Sequence, residues 1–150
     1  MPITTVKSTT KKIKDKNSVI CESRGFNFTL EPTAENDNMN SAMNPMEALL
    51  GSLGACVTLI TLNHAKNNGI NIEDIWVELE GDLDSDGTMS PNIKSGYTDI
   101  RCKVHIDTDA SQEQISNLMD TVKSKAPVAD TIQSGVKLDI VNIKPIKTMI

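Results

Sequence analysis

The residues of this chain with the most chemistry in them are its three cysteines, Cys21, Cys56 and Cys102. A thiolate can attack an electrophile, and a hydroperoxide converts it to sulfenic acid. The three are odd in number and widely spaced, with no Cys-x-x-Cys, so they form neither a disulfide framework nor a zinc pattern. For Cys56 two readings stand. It is a small hydrophobe on a buried apolar helix, or it is a reactive thiolate. The second needs a nearby cation, because three turns into a helix the backbone dipole has faded. Ser52, one turn earlier on the same face, is placed either to donate a hydrogen bond to that thiolate or to pack against another helix. Arg24 is a candidate cation, although it also reads as an exposed strand end. Glu47 reads as a charge stabilising the helix N-terminus, or as a group orienting the cation. Cys21 and Cys102 read as core packing, with a role as a second redox cysteine as the alternative.

Other chemistry is thin. His64 and His105 are isolated, and His64 lies about 12 Å along the helix from Cys56, so no metal site is expected. Asp82, Asp84 and Asp86 resemble part of a calcium loop, but the glutamate six places after Gly87 is missing, which leaves a solvated turn. No cofactor is implied.

The element that must position Cys56 runs over residues 44–68. Pro45 is pre-set for the first helical turn. Met46, Leu49, Leu50, Leu53, Val57, Ile60 and Leu62 recur mostly at three- and four-residue steps. Asn67-Asn68-Gly69 is a stop. Ala48, Ala55 and Leu59 fill much of the remaining circumference, so this helix of roughly 35 Å must be buried nearly all round. Glu47 at one end, Asn63, His64 and Lys66 at the other, and Gly51, Ser52, Gly54, Thr58 and Thr61 between them argue against a membrane span.

Around it, the sequence predicts an edge strand within residues 3–13, a turn at Lys14 to Asn17, and strands at 18–23 and 25–30. The core face of this meander is expected to be Val6, Ile20, Phe26, Phe28 and Leu30. A loop follows at 33–43. After the helix come strands at 75–80 and 97–107, with an Asp86-Gly87 turn between them. Ser111 with Gln114 is a capping box for a second helix, whose apolar stripe is Ile115, Leu118, Met119 and Val122. Pro127 starts a third, short helix through Gln133, and residues 136–143 form a last strand. The order βββ–α–ββ–α–α–β describes one α+β domain over residues 1–150, with antiparallel sheet wrapped around the long helix. So little sheet cannot cover that helix on every side, so a tight homodimer is expected.

Length, charge and composition set outer bounds. At 150 residues the chain is large enough for a real core. A net charge of −5 with pI near 5.0 argues against nucleic acid or anionic membrane as partner. Aromatics at 3% leave no stacking platform for single strands. The N-terminus MPITTVKSTTKKIKDK lacks a signal-peptide pattern, so the expected location is a reducing cytoplasm.

The run NPMEALLGSLGAC resembles the signature of the OsmC family, named for osmotically inducible protein C and including the organic hydroperoxide resistance proteins. The match is carried by Asn44, Pro45, Glu47, Leu49, Gly54, Ala55 and Cys56. KAPVADTIQSGV is similar to a second family segment through Pro127, Val128, Thr131 and Ile132. The resemblance implies an intertwined α+β homodimer with sites at the subunit interface. It also implies a thiol peroxidase acting on organic or hydrogen peroxide, with Cys56 as the reacting cysteine. Three departures bear on that chemistry. The family's second cysteine falls at Ala126, and the glutamate that directly follows the proline in its peroxidases falls at Met46. The family's arginine near the first turn of the meander is replaced by Lys14 and Lys16. Turnover would then need an external thiol reductant, or a different resolving partner such as Cys21 or Cys102. The alternative is a non-catalytic dimer of this fold that binds a small apolar or electrophilic ligand at its interface.

Overall fold

The computed structural model describes residues 1–33 and 40–143. The expected loop at 33–43 therefore lies in part outside the described residues.

The first three strands are β1 (Thr9–Lys12), β2 (Val19–Ser23) and β3 (Phe26–Leu30), an antiparallel sheet in the order β1-β2-β3. β2 and β3 are joined by Arg24 and Gly25, whose φ values of 54° and 87° are the two positive angles that a tight right-twisting hairpin demands. β1 is shorter than the expected strand, since its pairing begins only at Thr9 opposite Glu22.

At the end of β3, Glu31 holds the approach to the long helix. It accepts from the Ser41 hydroxyl at 2.6 Å, and from the Asn40 amide and the Ser41 N–H at 3.0 Å each. These donors, the Ser41 hydroxyl foremost, hold its carboxyl down to about 2 from the usual 4.5. The clasp is present above the ordinary carboxylate range and is lost only as pH falls towards 2.

The long helix α1 (Pro45–Asn67) forms where the sequence places it. Its buried stripe is Leu53, Gly54, Val57, Thr61 and Ala65. The stripe packs on β4 (Asp74–Leu83), α2 (Gln112–Lys125) and α3 (Pro127–Ser134). β4 pairs with β5 (Tyr97–Asp107) in an antiparallel ladder from Asp74↔Asp107 to Leu83↔Tyr97. β4 is longer than expected because eleven residues of β5 offer a partner edge beyond Glu80. Ile75, Val77 and Leu79 turn inward with Ile100 and Val104, while the opposite face carries charge. The capping box is present as read: Ser111 accepts from the Gln114 N–H, and the Gln114 side chain accepts from the Ser111 N–H.

Two expectations are corrected. Residues 136–143 form no strand, although they alternate as one, because they pair with none of the open edges of the two sheets. Val136, Leu138, Ile140, Val141 and Ile143 are exposed instead. In the meander, only Leu30 of the expected core face is buried and Ile20 is half-buried. Val6, Phe26 and Phe28 are exposed, Phe26 by 69%, because nothing in the chain is layered on that face.

Leu118 is 4% exposed in the cluster that joins α1 to α2. Leu118→Ala is expected to destabilise the fold by about 2–5 kcal/mol, read by denaturant titration, because the neighbours relax only partly into the void.

Candidate functional site

α1 begins with a closed capping arrangement. Asn44, in extended conformation, accepts from the Glu47 N–H at 2.9 Å, and its amide donates to the Glu47 carboxylate at 2.5 Å. Glu47 is thereby engaged at the helix N-terminus, where its charge also complements the dipole. Three turns later Cys56 is half-buried with a free thiol. Its neighbours Leu53 and Val57 face the interior.

Beside them lies a partly open cavity of about 600 Å³ between α1, β5, α2 and α3. Leu53 and Val57 form one wall, Ile100, Cys102 and Val104 another, and Met119 and Ala126 close the end. Met46 and Ala126, at the positions where the family resemblance sets a glutamate and a second cysteine, both line this space. Ala126 is 1% exposed, so the wall there is a methyl group. Cys102, expected in the core, is instead exposed on the cavity wall. The partial desolvation there pushes its thiol up from its ordinary pKa, which favours the neutral thiol.

Tyr97 frames the mouth. Its hydroxyl donates to the Met46 carbonyl at 2.7 Å, tying the start of β5 to the first turn of α1. The ring lies where a side chain at position 81 would stand, so Gly81 is required by this close approach. Burial, and secondarily the Glu47 charge, raise the Tyr97 pKa above 10. Lys94 and Lys123 complete the rim. The sequence reading missed Tyr97 and both lysines. The signal available was weak: a lone tyrosine opening a strand, and two lysines at element ends.

The remaining candidates sit apart from this cavity. Arg24 occupies the β2–β3 turn with its guanidinium 5.4 Å from the centre of the Phe26 ring, and it does not line the cavity. Cys21 lies on β2 and accepts from the Thr10 hydroxyl at 3.3 Å. Lys16 borders a separate groove with Thr29 and Glu31. On the outer face of β4 and β5, Arg101 pairs with Glu80, Asp82 and Asp99 at 3.2, 2.8 and 2.8 Å. The hydrogen bond from Arg101 is the main cause of the lowered Asp82 pKa. Trp76 stacks on His105 with ring centres 4.0 Å apart, and His105 meets Glu78 at 2.7 Å. Among the described residues no three His, Cys, Asp or Glu side chains gather to hold a metal ion.

A family model described as OsmC-like protein matches residues 37–141. No curated protein matches the chain. Among solved structures, an OsmC-like protein from Mycoplasma pneumoniae aligns with a TM-score of 0.77 and 22% identity, covering 88% of this chain and 89% of its own. An organic hydroperoxide resistance protein OsmC from Legionella pneumophila gives 0.63 and 18%, covering 89% and 92%. The organic hydroperoxide resistance protein OhrB of Bacillus subtilis gives 0.57 and 17%, covering 88% and 93%. At these identities the likeness is one of fold.

Tyr97 is the chain's one tyrosine, so its ionisation can be followed without ambiguity. Its absorbance titration is expected to have a midpoint above 10, displaced further from the free phenol than in the unfolded chain. Because the folded pKa is raised, the contribution to stability is complete below the unfolded value and is lost as pH rises through the folded one. Glu47→Gln should bring the midpoint partway back.

Proposed function

The chain belongs to the OsmC-like family, and from that membership we propose that it is a thiol peroxidase of the one-cysteine kind. The Cys56 thiolate attacks the terminal oxygen of an organic or hydrogen peroxide. The O–O bond breaks, the alkoxide or hydroxide leaves and takes up a proton, and the sulfur becomes a sulfenic acid. An external low-molecular-weight thiol then condenses with it, releasing water and forming a mixed disulfide. A second thiol attacks that disulfide and restores Cys56. The observation that carries the reading is the half-buried free thiol of Cys56, three turns into α1 at the family's cysteine position. Cys56 itself does not line the cavity, which its helix neighbours Leu53 and Val57 line. The buried methyl of Ala126 is why the second thiol is external. This chemistry needs a reducing compartment, so the cytoplasm is assigned to it. Arg24 and Glu47 are secondary candidates for a supporting charge, and both would need a neighbouring subunit or a rearrangement to meet Cys56.

A homodimer belongs to the same proposal. α1 is long and apolar enough to pass a membrane-span test by length and composition, yet only 22% of its most apolar stretch is buried. Leu49, Leu59 and Leu62 stand exposed on it, Leu59 by 65%. Exposed apolar groups on α1, on the Phe26–Phe28 face and along residues 136–143 are what a second copy would cover.

The alternative reading, a non-catalytic binder of a small apolar or electrophilic molecule, is favoured by the cavity itself together with the departures at Met46 and Ala126.

Two experiments decide these points. Wild type given stoichiometric peroxide is expected to gain oxygen on Cys56 without an internal disulfide, read by intact mass and non-reducing peptide mapping. Ala126→Cys is expected to form a Cys56 disulfide with the introduced sulfur, provided the two Cα atoms come within about 7 Å. An unmodified Cys56 in both proteins would remove the peroxidase reading and leave the binder. Separately, the unfolding midpoint is expected to rise with protein concentration. A folded monomer in sedimentation at micromolar concentration would refute the dimer.

A further inference from the structure

We propose that the cavity between α1, β5, α2 and α3 binds a carboxylate with an apolar chain, the chain lying inside and the carboxylate meeting Lys94 and Lys123 at the mouth. The proposal concerns occupancy and does not depend on any reaction at Cys56.

Size and lining come first. A cavity of about 600 Å³ falls within the roughly 300–1,000 Å³ usual for small-molecule sites. Its interior is alkyl and thioether, formed by Leu53, Val57, Val104 and Met119. Met119 is unbranched and can re-pose, which suits a chain rather than a rigid ring system.

Charge at the rim selects the head group. Three charged side chains line the cavity: Lys94, Lys123 and Asp99. Asp99 accepts from Arg101 at 2.8 Å, a cation it shares with Glu80 and Asp82, so its charge is only partly offset. Among the described residues neither lysine takes part in an ion pair. The lining thus holds two lysines outside any ion pair among the described residues against one shared carboxylate, a local excess of positive charge in a chain whose net charge is −5. An overall acidic protein repels anions in general, so attraction at this mouth is local and falls with salt. A cationic head group would be repelled by the lysines, and an uncharged one would gain nothing from them.

The test uses the full chain in reduced form, never exposed to peroxide, so its outcome is separate from that of the peroxidase reading. Decanoate is titrated by calorimetry, with decanol and decyltrimethylammonium as comparators. Decanoate is expected to bind saturably, one per chain, more tightly than either, and to weaken as salt rises. Lys94→Gln with Lys123→Gln is expected to weaken it about tenfold, the scale of two charged contacts at a partly screened site. Lys66→Gln, on the far end of α1, should leave the affinity unchanged. Location is read independently through Cys102, which lines the cavity: bound decanoate should slow its alkylation relative to Cys21. Ala129→Trp, which projects bulk into the same space, should abolish binding. Decanol binding as tightly as decanoate, or affinity indifferent to the two lysines, would overturn the head-group assignment. Unchanged Cys102 labelling under saturating decanoate would overturn the site. No binding at all, as when a second copy or the 136–143 segment fills the cavity, would overturn the proposal entirely.

Discussion

The structure depends on how closely α1 can lie on the β4–β5 hairpin. A side chain at position 54 would place its Cβ 2.7 Å from the Leu79 Cδ1 atom, so a glycine there lets the leucine seat against the helix backbone. The same stripe continues through Val57 to Thr61, which is fully buried and donates its hydroxyl to the Val57 carbonyl at 2.7 Å. A buried polar group is thereby satisfied within the helix itself. Val122, 1% exposed, closes the stripe from α2. The cavity and the thiol take their positions from this contact: the helix rotation that buries Leu53 and Val57 leaves Cys56 half-buried beside them.

That packing covers one side of α1 and leaves the other bare. The chain therefore carries two kinds of unfinished surface. One is the exposed side of the helix, with Leu59 and Leu62. The other is strand material without a layer or an edge to join, at Phe26, Phe28 and residues 136–143. Both defects are of the sort that one event, association with a second copy, can correct. By contrast the outer face of β4 and β5 is finished. Arg101 bridges three carboxylates, and Trp76 is half-covered by the His105 ring.

The chemistry shows a similar partial completeness. A half-buried thiol is present at Cys56, and an apolar space of ligand size is lined by Leu53 and Val57 on the same helix, though not by Cys56 itself. Met46 and Ala126, at the positions where the family resemblance sets a glutamate and a second cysteine, both add apolar surface to the lining.

Local signals were legible in the sequence by themselves. Asn44-Pro45 opened α1 and Asn68-Gly69 closed it, Ser111 and Gln114 made their reciprocal cap, and strict alternation set β5 to the residue. Each of these rests on forces between residues close in the chain, which composition and spacing encode directly. The run NPMEALLGSLGAC carried the family on the same terms. The tertiary structure alone decided the rest. Alternation at 136–143 predicts a strand, but a strand exists only where another edge accepts its hydrogen bonds, and this segment pairs with none in the described chain. The meander's apolar face was read correctly as a face and wrongly as core, because burial depends on what is laid upon it. Tyr97 reaching the Met46 carbonyl across 51 positions, and two lysines from different elements meeting one cavity, leave no periodic trace in the sequence. Such meetings are set by how whole elements stack, a property of the packed molecule and not of any stretch of it.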